Sequence, residues 1–309
     1  MPKYRATRIS LASGIALLAL ATSALPAVAM PGDLYVSNFN SNTIAQFTPG
    51  GAASVFASTG LRNPAGLAFD ASGNLYAANV GNNTIERFTP GGVASVFASS
   101  GLRSPFGLAF DAGGNLYAAN SGNNTIERFT PDGAASVFAS TGLSTPSGLA
   151  FDANGNLYAA NITGNIERFT PGGLASVFAS TGISLPNGLA FDASGNLYAT
   201  NLGNNTIGRF TTGGVASVFA STGLNQAYGL AFDASGNLYA ANSGNSTIER
   251  FTTGGIASLF ASIGVSNPYF LAFEPAIAPP PSAVPEPASA ALLALGLGCL
   301  GTFRRRRTA

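Results

Sequence analysis

The sequence has no histidine and no tryptophan, and its single cysteine, Cys299, lies near the C-terminal end. Without an imidazole, Ser-His-Asp and Cys-His nucleophilic catalysis are excluded, because no side chain can take the nucleophile's proton in the usual way. Without paired cysteines there is no disulfide, and without Cys/His clusters there is no zinc site. Charge is scarce too: 9% of residues are Asp, Glu, Lys or Arg, against about a quarter in ordinary domains. The deficit is not disorder, because 46% of residues are hydrophobic and Phe and Leu recur at regular intervals. The formal net charge of +1 is also misleading. Lys3, Arg5, Arg8 and Arg304 to Arg307 sit at the two ends, and residues 30–275 hold seven Arg against twelve acids, a net −5. An acidic surface does not suit a phosphate backbone, so nucleic acid is not an expected partner.

Both ends read as addresses. Residues 1–29 combine Lys3, Arg5 and Arg8, an apolar run from Ile15 to Leu20, and Ala27-Val28-Ala29. That is the layout of a secretory signal peptide cleaved after Ala29, with Ala27 and Ala29 as the small residues of the cleavage site. At the other end a Pro-rich linker, 276–283, leads to Val284-Pro285-Glu286-Pro287, an apolar stretch over 288–303, and Arg304, Arg305, Arg306 and Arg307. Sixteen helical residues reach about 24 Å, short of a full bilayer core but long enough for a brief stop. The Arg cluster would hold the end in the cytoplasm. The order of these parts over 284–309 resembles the PEP-CTERM sorting signal. The resemblance implies an exosortase-type processing enzyme, transient inner-membrane anchoring, and release toward the cell surface or an exopolysaccharide-rich matrix.

Between the ends one unit repeats. Gly-Leu-Ala-Phe-Asp recurs with its Asp at 70, 111, 152, 192 and 233, and Glu274 takes the sixth place, at steps of 41, 41, 40, 41 and 41. Each unit reads as four short strands, as in Gly66–Phe69, Leu75–Asn79, Thr84–Phe88 and Ala94–Ala98, joined by Asp- and Gly-containing turns. The repeat region opens on a second strand, Asp33–Asn38, and closes on a first strand, Phe270–Glu274. Pairing the two would complete a sixth blade and remove the open edges of a stack. An all-β, six-bladed propeller over 30–275 is therefore expected, closed by both termini and flanked by N- and C-terminal hydrophobic helices. The unit is similar to the NHL repeat and to the streptogramin-lyase-like propellers. It departs from them in carrying Asn where those repeats often have Asp after the second strand, and in lacking the NHL histidine.

Loops four-to-one and two-to-three vary among the copies, and in propellers they open on one face around the central channel. Just before the inner strand stand Ala65, Phe106, Ser147, Asn187, Tyr228 and Tyr269. Aromatics and amides at a channel mouth suit a sugar ring, which makes Phe106, Ser147, Asn187, Tyr228 and Tyr269 ligand-binding candidates; drift at a loop position is the alternative. Asn38, Asn79, Asn120, Asn161, Asn201 and Asn242 form a second ring, either a channel ring of carboxamides that binds a cation or polar ligand or a set of amides satisfying backbone groups where strand two ends. The repeated Asp residues are expected to cap turns. The Glu-Arg pairs (Glu86-Arg87 and its copies) are expected to be surface charges. No metal and no cofactor are expected. Near-identical repeats supply no unique catalytic constellation, so the reading is a non-catalytic exported binding or scaffold protein. A lactonase- or lyase-like enzyme is the alternative, although the lyase resemblance implies a catalytic histidine that is missing here. A sensor module is the third.

Overall fold

The computed structural model describes residues 32–275. The predicted flanking helices, signal peptide, linker and sorting tail lie outside these residues. Among the described residues no helix is long and apolar enough to cross a membrane.

Six four-stranded antiparallel sheets form the blades of a propeller. The first complete blade in the chain holds β4 (Pro64–Phe69), β5 (Leu75–Asn79), β6 (Thr84–Phe88) and β7 (Ala94–Ala98), in that order from the channel outward. Four more copies follow, with inner strands β8 (Pro105–Phe110), β12 (Pro146–Phe151), β16 (Pro186–Phe191) and β20 (Ala227–Phe232). The sixth blade is split. The last strand, β24 (Pro268–Phe273), lies beside β1 (Leu34–Asn38), followed by β2 (Thr43–Phe47) and β3 (Ala53–Ala57). Leu34 pairs with Phe273 and Tyr35 with Ala272, so the two ends of the repeat region close the ring as the strand count requires. The innermost strands touch in a cycle, β4 to β8, β12, β16, β20, β24 and back to β4.

Two side-chain features make the blades nest. The Tyr of each second strand is wedged edge-on between the Phe of its own fourth strand and the Phe that ends the next inner strand. Tyr76 lies 4.9 Å from Phe97 and 5.0 Å from Phe110, and Tyr35 repeats the arrangement in the closing blade with Phe56 and Phe69. Edge-to-face contacts at these separations add stability beyond the area they bury. The inner strands need glycine. A Cβ on Gly107 would lie 2.2 Å from the Ser147 carbonyl of the next blade, and Gly66, Gly148 and Gly188 meet the same obstacle. The strands therefore approach more closely than any side chain permits.

The repeated Asp residues sit in the turns as their sequence position implies. Asp70 Oδ1 accepts the backbone N–H groups of Ser72 and Asn74, and Oδ2 accepts the Asn74 side-chain amide at 2.8 Å and the Tyr76 hydroxyl. The Glu residues differ from expectation. Glu86, Glu127 and Glu167 are buried rather than surface charges. Neighbouring residues on a strand face opposite ways, and it is the Arg that faces out: Arg87 is exposed, while the Glu86 carboxyl lies under Gly60 of the incoming loop. Burial holds the carboxyls of Glu86, Glu127, Glu167 and Glu249 above the usual range.

Candidate functional site

Each inner strand carries a β-bulge just after its Pro or Ala, as at Pro64/Leu67. The bulge holds the variable position of each blade: Ala65, Phe106, Ser147, Asn187, Tyr228 and Tyr269. The structure brings three of the five candidates together. Tyr228 and Tyr269 stack at 4.3 Å, and Phe106, from the blade opposite Tyr228, reaches within 5.8 Å of Tyr269 and 6.5 Å of Tyr228. Burial, then the charge and hydrogen bond of Tyr228, hold the Tyr269 phenol above its usual range.

Two further aromatics were missed by the sequence reading. Phe39, in the two-to-three loop of the closing blade, stacks on the other face of Tyr269 at 4.2 Å. Phe270 lies 5.7 Å edge-on to Phe106. Both had a signal in the repeat alignment. Phe39 stands where the other units have Val80, Ser121, Ile162, Leu202 or Ser243, and Phe270 replaces the inner-strand glycine of the other five. The Phe39, Tyr269 and Tyr228 rings thus form a continuous stack, with Phe106 facing it from across the channel.

The remaining candidates form a polar side. Ser147 and Asn187 are fully buried. Ser147 Oγ donates to the Asn187 carbonyl at 3.2 Å, and both atoms of the Asn187 carboxamide lack a partner. Thr200 accepts the Gly188 N–H and donates to the Tyr228 carbonyl, both at 2.8 Å, which fixes the backbone under the tyrosine stack. The channel mouth is therefore asymmetric although the repeats are nearly uniform, with the stacked rings of two adjacent blades and Phe106 opposite them on the aromatic side, and a buried amide and hydroxyls on two further blades.

The ring of asparagines is tied into loops. Asn120 Oδ1 accepts the Arg103 N–H at 3.0 Å, and its Nδ2 donates to the Gly101 carbonyl and the Thr125 hydroxyl. Asn38 does the same across the seam with Ser266 and Gly264, and Asn79, Asn161, Asn201 and Asn242 repeat it. These amides brace the four-to-one loops that carry the mouth residues. A second belt links successive blades: Asn83 Oδ1 accepts the Ser104 N–H at 2.6 Å and Asn124 Oδ1 that of Thr145. The shortened loop at Thr163-Gly164 has no residue to continue this belt toward Leu185. Among the described residues no three acidic side chains converge to hold a metal. Ala27, Ala29, Pro285, Glu286, Pro287 and Arg304 to Arg307 lie outside them.

Comparison with solved structures gives the same fold at low identity. The propeller of a nidogen/laminin complex superposes with a TM-score of 0.70 at 23% identity, covering 77% of this chain and 97% of that one. Virginiamycin B lyase from Staphylococcus aureus gives 0.64 at 21% identity, over 80% and 87%. A gluconolactonase from Xanthomonas campestris gives 0.59 at 17% identity, over 74% and 86%. A structure of the Staphylococcus aureus lyase with quinupristin is of a catalytically inactive variant in which a histidine is replaced by alanine. No curated protein matches the sequence. The PEP-CTERM protein-sorting motif matches residues 283–307, which include Pro285-Glu286-Pro287 and the four Arg; it supports export to the cell surface and implies processing by an exosortase-type enzyme. The model of the virginiamycin B lyase family matches residues 19–278, and the chain belongs to that family.

Proposed function

We propose that the protein is an exported, non-catalytic binding propeller that holds a carbohydrate at the aromatic mouth of its channel. The signal peptide (1–29) would deliver it across the inner membrane. The 288–303 helix would then anchor it there until an exosortase-type enzyme cleaves near Pro285-Glu286-Pro287. Exopolysaccharide or surface protein at the cell surface is the proposed partner.

The observation that carries the reading is the stack of Phe39, Tyr269 and Tyr228 facing Phe106. Flat apolar faces edged by phenol hydroxyls match a pyranose ring, which has an apolar face and a polar rim. A few polar groups placed beside an apolar surface fix orientation, and the unpaired carboxamide of Asn187 is such a group. Against catalysis stands the composition: the inactive lyase variant lost one histidine, and this chain has none to lose.

Family membership favours a second reading, an enzyme of the lyase or lactonase kind. A lactone-hydrolysis screen together with an assay for loss of intact quinupristin separates the two, since turnover in either would overturn the first reading. The direct test of the first is a glycan array probed with the wild type, Tyr228→Ala and Tyr269→Ala. Wild-type binding that both variants lose supports the mouth as the site. Undiminished binding by the variants places the site elsewhere.

A further inference from the structure

The closing blade differs from the other five at one buried cluster on the rim away from the mouth. In each regular blade this position holds one Asp, one Asn, one Tyr and one Arg. Asn115 donates its amide to Asp111 at 2.8 Å, Tyr117 adds its hydroxyl, and Arg128 is the strand partner of Tyr117. One negative and one positive charge thus share the cluster. In the closing blade Glu274 takes the Asp place, Asp33 the Asn place and Gln46 the Arg place, for Gln46 is the strand partner of Tyr35. Two carboxylates replace a carboxylate and an amide, and the guanidinium is gone.

Neither acid escapes to water. Asp33 and Glu274 are each more than nine-tenths buried, at 5% exposure. The chain holds them side by side, because the Glu274 N–H donates to the Asp33 carbonyl at 2.9 Å. Gln46 Nε2 donates to Asp33 Oδ2 at 2.8 Å. One oxygen of each acid, Asp33 Oδ1 and Glu274 Oε2, is buried with no partner. Buried carboxyl oxygens left without a partner demand a cation or a proton, and none of the neighbours named here supplies a positive charge.

We propose that the seam between the two chain ends binds one divalent cation of the calcium type through Asp33 Oδ1 and Glu274 Oε2. Calcium accepts irregular sets of carboxylate, carbonyl and water oxygens, which suits two carboxyl oxygens left without protein partners. The cation would tie the first residues of the propeller to the last, at the one place where ring closure depends on strands distant in sequence. The site is independent of the channel mouth and stands or falls separately from the carbohydrate reading.

The test uses the full chain titrated with Ca²⁺ and, separately, with Tb³⁺. The sequence has no tryptophan, so Tb³⁺ emission excited at the tyrosine band reports a tyrosine beside the ion, here Tyr35. The expected result is one ion per chain, Tb³⁺ emission displaced by Ca²⁺, and a Tm that rises with Ca²⁺ and falls with EDTA. Asp33→Asn restores the residue found in the other blades. It should abolish the emission and the Ca²⁺ response while keeping a Tm in EDTA at least as high as the wild type. A wild-type Tm indifferent to Ca²⁺ and EDTA with no Tb³⁺ emission would mean that a shared proton neutralises the pair, and would overturn the proposal. So would undiminished ion binding by Asp33→Asn.

Discussion

Asp33→Asn is also the sharpest probe of the energetics of ring closure when no metal is present. In the folded protein the Glu274 carboxyl is pushed up to about 7, first by burial and then by the adjacent Asp33, with the Tyr35 hydrogen bond opposing. The folded state therefore holds the Glu274 proton more tightly than the unfolded chain does. Its contribution to stability is present below the ordinary carboxylate pKa of about 4.5 and is lost as pH rises through about 7. Each tenfold change in proton affinity is worth about 1.4 kcal/mol, so the ceiling is about 3 kcal/mol above pH 7. Burial, the larger cause, remains in the variant, so removing the Asp33 charge recovers about 1 kcal/mol of this. The variant removes the like charge and restores the amide-to-carboxylate hydrogen bond that the regular blades make at 2.8 Å. At about 2–4 °C per kcal/mol for a domain of this size, the Tm in EDTA at pH 7.5 should rise by about 2–4 °C. The gain should shrink toward pH 4.5. A variant less stable than the wild type at pH 7.5, or a gain independent of pH, would refute the reasoning.

Three other outcomes follow from the packing. Gly107→Ala places a Cβ 2.2 Å from a backbone carbonyl that cannot rotate away, so the inner strands of two blades must part; chemical denaturation should show a loss of about 2–3 kcal/mol, whereas Gly172→Ala, whose Cβ meets nothing closer than 3.9 Å, should be nearly neutral. Asn120→Ala removes three hydrogen bonds and leaves the Arg103 N–H and Gly101 carbonyl to find water, at a cost of about 1–3 kcal/mol in the same assay. Glu127→Gln should raise the Tm at pH 7 and not at pH 4, because burial holds that carboxyl above its ordinary range and makes its ionised form the unfavourable one in the fold.

The repeat made most of the fold legible. A period near 41, four strand-like segments per unit and complementary partial units at the two ends predict the six blades and the β1–β24 closure. Alternation alone could not place the Glu-Arg pairs. Both residues are charged, and only the approach of the four-to-one loop over the third strand decides that Glu86 lies beneath Gly60 while Arg87 faces water. The mouth was half legible. Comparing one column of the repeat picks out Phe106, Tyr228 and Tyr269 but overlooks Phe39 and Phe270, which belong to other columns and meet the first three only through the closure of the ring. The expected closure already places Asp33 beside Glu274 from 241 positions away; what the sequence could not show is that both are buried with one oxygen each left unpaired.

The central functional claim is that the aromatic mouth binds a ligand and leaves it chemically unchanged. The most direct measurement is tyrosine fluorescence titration with a glycan that scores on the array, followed by mass analysis of the recovered glycan. The account predicts saturable quenching that Tyr228→Ala and Tyr269→Ala abolish, with the glycan recovered at its original mass. Quenching unaffected by both substitutions, or a glycan returned cleaved, would contradict it.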